Sequence, residues 1–202
     1  MKTSRPVLAV LALWLAAVLV LGAAGAFVGA PGQPPIAIGL GAMLPIAAFL
    51  VAYAALPAFR GYVLSADLRL LATFQAWRWA GIGFLSLYAY GVLPALFAFP
   101  AGLGDMAIGA SAPFVVAALV RDREFAGTRR FVAWNLLGIL DLVVALSLGA
   151  LSAAGVLSRL TGSVTTAPMA TMPLVLIPAF LVPLFLIMHL TALFQTRRAA
   201  LA

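Results

Sequence analysis

Arg121-Asp122-Arg123-Glu124-Phe125-Ala126-Gly127-Thr128-Arg129-Arg130 is the most basic segment of this 202-residue chain, and long apolar runs flank it on both sides. A membrane helix needs about 20 mostly apolar residues to cross roughly 30 Å of hydrocarbon. Lys and Arg are retained on the cytoplasmic face during insertion, so this loop is expected inside. Upstream of it, a span is expected at 103–120 and another at 80–99, joined by a tight outer hairpin at Pro100 to Gly104. Downstream, a fifth span is expected at 131–154. The polar stretch 158–167, with Arg159, leads into a sixth span at 169–194, followed by Arg197 and Arg198.

The first third of the chain completes the pattern. Residues 7–28 follow Lys2 and Arg5, and a Pro/Gly turn at 30–35 leads into a second span at 36–59. Arg60, Asp67 and Arg69 mark another inner loop. Residues 67–79, with Gln75, Trp77, Arg78 and Trp79, are expected as an amphipathic stretch along the inner interface, because Trp favours headgroup depth. Ten of the twelve Lys and Arg residues then fall on one side and one, Arg159, on the other. The expected fold is an all-α, polytopic integral membrane protein. It is a single membrane domain forming a six-transmembrane-helix bundle with both termini cytoplasmic.

Composition agrees with that reading. Hydrophobic residues make up 65% of the chain and charged residues 8%, against roughly 25% charged in a soluble domain. The formal charge of +7 sits at the ends of apolar runs instead of on one polar face, so lipid and not nucleic acid is the expected partner. The absence of Cys excludes disulfides and thiolate sites. Eleven arginines to one lysine point to a GC-rich bacterial genome and a bacterial inner membrane. Residues 7–28 also admit a signal-peptide reading, with Ala24-Gly25-Ala26 as a small-residue cleavage pattern. The apolar run exceeds the roughly 7 to 15 residues of a signal h-region, so it is read as a span.

Ionisable groups in the spans carry the functional expectation, since each costs at least about 2.5 kcal/mol at the bilayer centre. Asp141 lies roughly 16 Å along a helix from Arg130, near the midplane. It is spaced by three from Gly138 and Asn135, on a face that must point into the bundle. Two readings are open: a polar packing seam, or a carboxyl that exchanges a proton or binds a cation. His189 has the same two readings, as a packed histidine or a proton carrier. With no second His for a bis-histidine haem site, no cofactor is expected. Arg78 snorkels to the headgroups if the third helix begins near Ala80; if it begins near Leu70, Arg78 is buried and becomes the natural counter-ion of Asp141. Pro168, Pro173, Pro178 and Pro183 recur every five residues, which predicts a kinked or partly unwound sixth helix of the kind that lines transporter sites.

Gly102-Leu103-Gly104-Asp105 resembles the GxGD signature of intramembrane aspartyl proteases, the presenilin and prepilin peptidase group, in which two aspartates on separate helices activate water. In that group the partner aspartate precedes the motif, whereas the only earlier aspartate here is Asp67, in a loop. Pro94-Ala95-Leu96 resembles the PAL motif of presenilin but precedes GxGD instead of following it. With a hairpin at 100–104, Asp105 is expected near the outer surface as a helix cap, roughly 10 Å from the depth of Asp141. There is no phosphate-binding loop, no Ser-His-Asp set and no metal-ligand cluster.

The leading expectation is a small transporter or proton/ion-coupled permease. Asp141 and His189 are its protonatable pair, Asn135, Arg78 and Asp105 lie along the path, and the breaks at Pro173, Pro178 and Pro183 line the cavity. The alternatives are a non-catalytic accessory subunit that docks another membrane protein or a second copy of itself, and an aspartyl protease of the GxGD type.

Overall fold

The computed structural model describes residues 5–199, without the side chains of Arg123 and of residues 197–199. The expected anchor Lys2 and the side chains of Arg197 and Arg198 thus lie outside the described residues. Among the described residues every element is helical. In order they are α1 (Arg5–Ala23), α2 (Ile36–Ala55), α3 (Pro57–Leu64), α4 (Leu68–Phe74), a 3-10 segment (Gln75–Gly81), α5 (Ile82–Ala89), α6 (Ala95–Arg121), a second 3-10 segment (Arg123–Gly127), α7 (Arg129–Ala153), α8 (Ser158–Thr161), a third 3-10 segment (Ala167–Ala170), a π-helical turn (Ile177–Leu181) and α9 (Val182–Ala199). Five stretches are long and apolar enough to cross a membrane: α1, α2, α6, α7 and Ile177–Thr196. The protein is a helical membrane bundle.

Local chemistry explains where these helices begin and end. Pro57 opens α3 at a position where its missing N–H costs nothing. The Asp67 carboxylate caps α4 by accepting from the Arg69 amide at 2.9 Å, and Thr128 Oγ1 caps α7 by accepting from the Phe131 amide at 3.3 Å. The Arg69 guanidinium also holds the exposed Asp67 carboxyl below its ordinary range. On α7, Asn135, Gly138 and Leu142 are buried while Leu136, Leu137 and Leu140 are exposed. The outward leucines would be a large apolar patch in water, but in a bilayer they are the lipid-facing surface.

The reversal expected at 100–104 is not there. The chain turns at Tyr90 to Pro94, where Gly91 takes φ +69° and the Val92 amide bonds back to Leu87 O at 2.8 Å. That is a glycine C-terminal helix stop. Pro94 then leads into α6, which runs 27 residues through Pro100, Gly102 and Gly104 without interruption. Proline and glycine are tolerated inside membrane helices because neighbouring helices and local adjustment re-satisfy the freed groups. The glycines here serve close packing: a side chain at Gly102 would meet Gly81 O at 2.9 Å, and one at Gly109 would enter the backbone of Arg78 and Trp79.

The shift moves the preceding arm as well. Residues 67–79 do not form a separate interfacial stretch. They belong to an arm built from α4, the first 3-10 segment and α5, pieces of 7, 7 and 8 residues that pack against α6. Residues three apart eclipse in a 3-10 helix, and Gln75, Arg78 and Gly81 accordingly form one buried stripe.

The basic segments gather at one end of the bundle. Gln195 on α9 donates to Val63 O at 3.0 Å and Ala66 O at 2.9 Å, and Thr196 donates to Ala126 O at 3.1 Å. Those bonds tie the ends of α3 and α9 to the Arg121–Arg130 loop. Toward the opposite end, α5, α6 and the Ala167–Ala170 segment share a core of Phe84, Leu93, Phe97, Ala98, Ala101 and Met169.

Candidate functional site

Arg78 stands at the centre of the bundle with a side chain that is 0% exposed. Its Nε donates to Asp105 Oδ1 on α6 at 2.7 Å, and its Nη2 donates to Asp141 Oδ2 on α7. Its Nη1 donates to Gly138 O at 3.3 Å and lies 3.1 Å from His189 Nε2 on α9. Four of the five guanidinium N–H groups therefore have acceptors, drawn from three helices.

The guanidinium decides the state of His189. Arginine has only N–H donors, so the imidazole Nε2 facing it must present its lone pair. The proton is then on Nδ1, which donates to Asn135 Oδ1 at 2.9 Å, while Asn135 Nδ2 donates to Phe131 O at 2.9 Å. Both residues are 1% exposed. Trp134 packs edge-on against the imidazole at 5.4 Å, and its own N–H is held by Ser111 Oγ at 2.8 Å. The result is one chain of bonds from a backbone carbonyl through Asn135, His189 and Arg78 to two carboxylates.

Glycine makes the convergence possible. The His189 ring occupies the space a side chain at Gly138 would need, and the Asp141 carboxylate occupies that space at Gly104. Gln75, on the same stripe as Arg78, donates to Phe185 O at 3.3 Å, and its Oε1 is buried without a partner.

A cavity of about 400 Å³ lies between the first half of α2 and the second half of α7, walled also by Phe84, Phe97, Met169 and the π-helical turn. Asp105 is the one ionisable residue on its wall among the described residues. Asp105 and Asp141 keep 18% and 12% side-chain exposure, whereas Arg78 has none. Asp105 is thus open to the cavity, while the guanidinium is closed off from it.

Asp105, Arg78, Asp141, His189 and Asn135, named from the sequence, meet in this one cluster. Two expectations about them need correction. Arg78 does not snorkel, because its arm begins at Leu68; its burial and its pairing with Asp141 follow the alternative start of the third helix. Asp105 is not a cap near a surface, because moving the turn back to 90–94 carries it ten residues into α6, about 15 Å along the axis. It therefore shares one guanidinium with Asp141, where a depth gap of roughly 10 Å was expected. The prolines are divided: Pro173 lies in the irregular stretch before the π-helical turn, Pro178 within that turn on the cavity wall, and Pro183, fully buried, in the first turn of α9. Sequence reading missed Gln75 as a buried partner and Gly104 and Gly109 as close-approach positions; the spacing of Gln75, Arg78 and Gly81 by three was the available signal.

A family described as "Domain of unknown function (DUF8737)" matches residues 35–197, from the start of α2 into the last turns of α9. No curated protein and no solved structure matches the chain.

Proposed function

We propose, from the premise that this chain belongs to the DUF8737 family and that the family's description names no activity, that it is a proton- or ion-coupled permease with Arg78, Asp105 and Asp141 as its coupling centre. The observation that carries this reading is the solvent-free guanidinium held by two carboxylates, one of them on a cavity wall. One carboxylate is enough to neutralise a guanidinium. The second leaves the trio with a formal charge of −1 when both are ionised, an expensive state in a low-dielectric interior. One proton or one monovalent cation, arriving through the cavity, makes the trio neutral.

Loading Asp105 weakens its bond to Arg78 and biases the elements joined at the guanidinium. The 3-10 segment carrying Arg78 and the proline-broken entry to α9 are the parts of the bundle with the least regular backbone. His189 acts in this scheme as the acceptor that orients the guanidinium, with its Nε2 lone pair turned to Arg78, and the proton is carried by the carboxylates. With the basic end in the cytoplasm, the cavity opens toward the outside. A bacterial inner membrane fits the arginine bias. The protease alternative requires a water between two carboxyls that share a proton about 3 Å apart; here each carboxyl already receives a nitrogen of Arg78.

Solid-supported membrane recording on proteoliposomes tests the reading. A pH or Na⁺ jump is expected to give a protein-dependent charge movement that falls at least tenfold in Asp105→Asn and in Asp141→Asn and is partly kept in Asp141→Glu. Currents unchanged in both neutralised variants, or absent from the wild type, would overturn it.

A further inference from the structure

Resting on that reading, we propose that the cavity binds a hydrophobic organic cation, an apolar body bearing a single positive centre, with Asp105 as its counter-ion and a proton as its competitor. The volume of about 400 Å³ lies in the range of about 300–1,000 Å³ usual for small-molecule sites. The wall is apolar apart from a few groups, and most of those are already engaged. Thr166 Oγ1 donates to Gly149 O at 2.5 Å and Ser147 Oγ to Val143 O at 2.7 Å. Asp105 Oδ1 accepts from Arg78, and Oδ2 receives no hydrogen bond among the described residues. Asp105 is on the cavity wall, and its carboxylate is the polar feature an occupant would answer.

Its chemistry selects the ligand class. An anion is repelled by a centre whose formal charge is already −1. A neutral apolar molecule would strip water from the carboxylate and return nothing for it. A divalent cation such as Ca²⁺ or Mg²⁺ needs about six or more oxygen ligands, which these walls do not supply. An organic cation satisfies the open carboxylate oxygen and buries its body against Phe84 and Phe97, whose rings meet edge to face at 5.3 Å and offer π surface to a positive centre. The charged and titratable groups facing Asp105 are Arg78 on the 3-10 segment, Asp141 on α7 and, across the guanidinium, His189 on α9. The guanidinium has only donors and holds His189 as an acceptor, so the variable proton is shared between the two carboxyls. Organic cation and proton therefore exclude each other, and the site is an exchanger.

The test uses the purified full chain in nanodiscs with tetraphenylphosphonium and its anionic isostere tetraphenylborate, followed by equilibrium dialysis and calorimetry. The cation is expected to bind saturably, one per chain, at least tenfold tighter than the anion. Its affinity is expected to fall as pH is lowered, with proton release on binding. Asp105→Asn and Ala145→Phe, the latter filling the cavity from its half-buried α7 wall, should each weaken it at least tenfold. Should Asp105→Asn fail to fold, Ala145→Phe carries the test alone. Equal binding of the anion, or affinity unchanged in the folded variants, overturns the inference. A wild-type chain that binds no phosphonium while its proton-jump currents are intact removes this inference and leaves the coupled permease; specific binding with no currents supports the site and removes the permease.

Discussion

Arg78 is tolerable without solvent only because acceptors from three helices converge on it, and the geometry leaves little room for substitution. A lysine presents a point charge with three donors and no planar fork, so it cannot reach Asp105, Asp141, Gly138 O and His189 together. Truncation is harsher, because removing one member of a buried ion pair strands the others: Arg78→Ala is expected to destabilise the protein by about 3–5 kcal/mol. The exposed pair Arg69–Asp67, with side chains 56% and 48% accessible, is the control, and Arg69→Ala should leave stability unchanged. Unfolding of both variants in mixed detergent micelles checks the contrast, and an Arg78→Ala protein as stable as wild type would refute the central role of the pair. The burial of Asp141 could be read directly, since hydropathy and distance from Arg130 place it at depth. Arg78 could not, because its environment depends on where its own helix begins.

Helix α6 shows why that starting point was ambiguous. Pro100, Gly102 and Gly104 are turn formers in water, and so are Gly91 and Pro94; both sets lie inside one long apolar region. What separates them is packing. Gly102, Gly104 and Gly109 lie against Leu85 and Gly81, Asp141, and the backbone of residues 78–79, so they are a helix contact surface. Gly91 has open space around it and a positive φ, so it is a turn. Cysteine labelling separates the alternatives. In an otherwise functional protein, Tyr90→Cys, at a position 84% exposed, is expected to react with a membrane-impermeant maleimide, and Leu103→Cys, on the lipid-facing side of a continuous α6, is not. Reaction at 103 and protection at 90 would restore the hairpin at 100–104.

Across the entire bundle, the alternation of apolar runs with arginine-rich loops predicts orientation. With the Arg121–Arg130 end inside, Tyr90→Cys should label from outside intact cells, and a cysteine at Ala126 only after the cells are opened; the reverse pattern would invert the molecule. The amino-acid order was sufficient for the class of the protein, for α2 and α7 almost to their termini, and for the suspicion that Asp141 and Asn135 share a polar face. Those properties follow from hydropathy and periodicity, which add up locally along the chain. The meeting of Asp105 with Asp141, the burial of Arg78 between them and the cavity beside them arise from the relative depth and close approach of α6, α7, α9 and the 3-10 segment. Such registers are set by which small residues let distant helices touch, a pairwise property that no single stretch of chain contains.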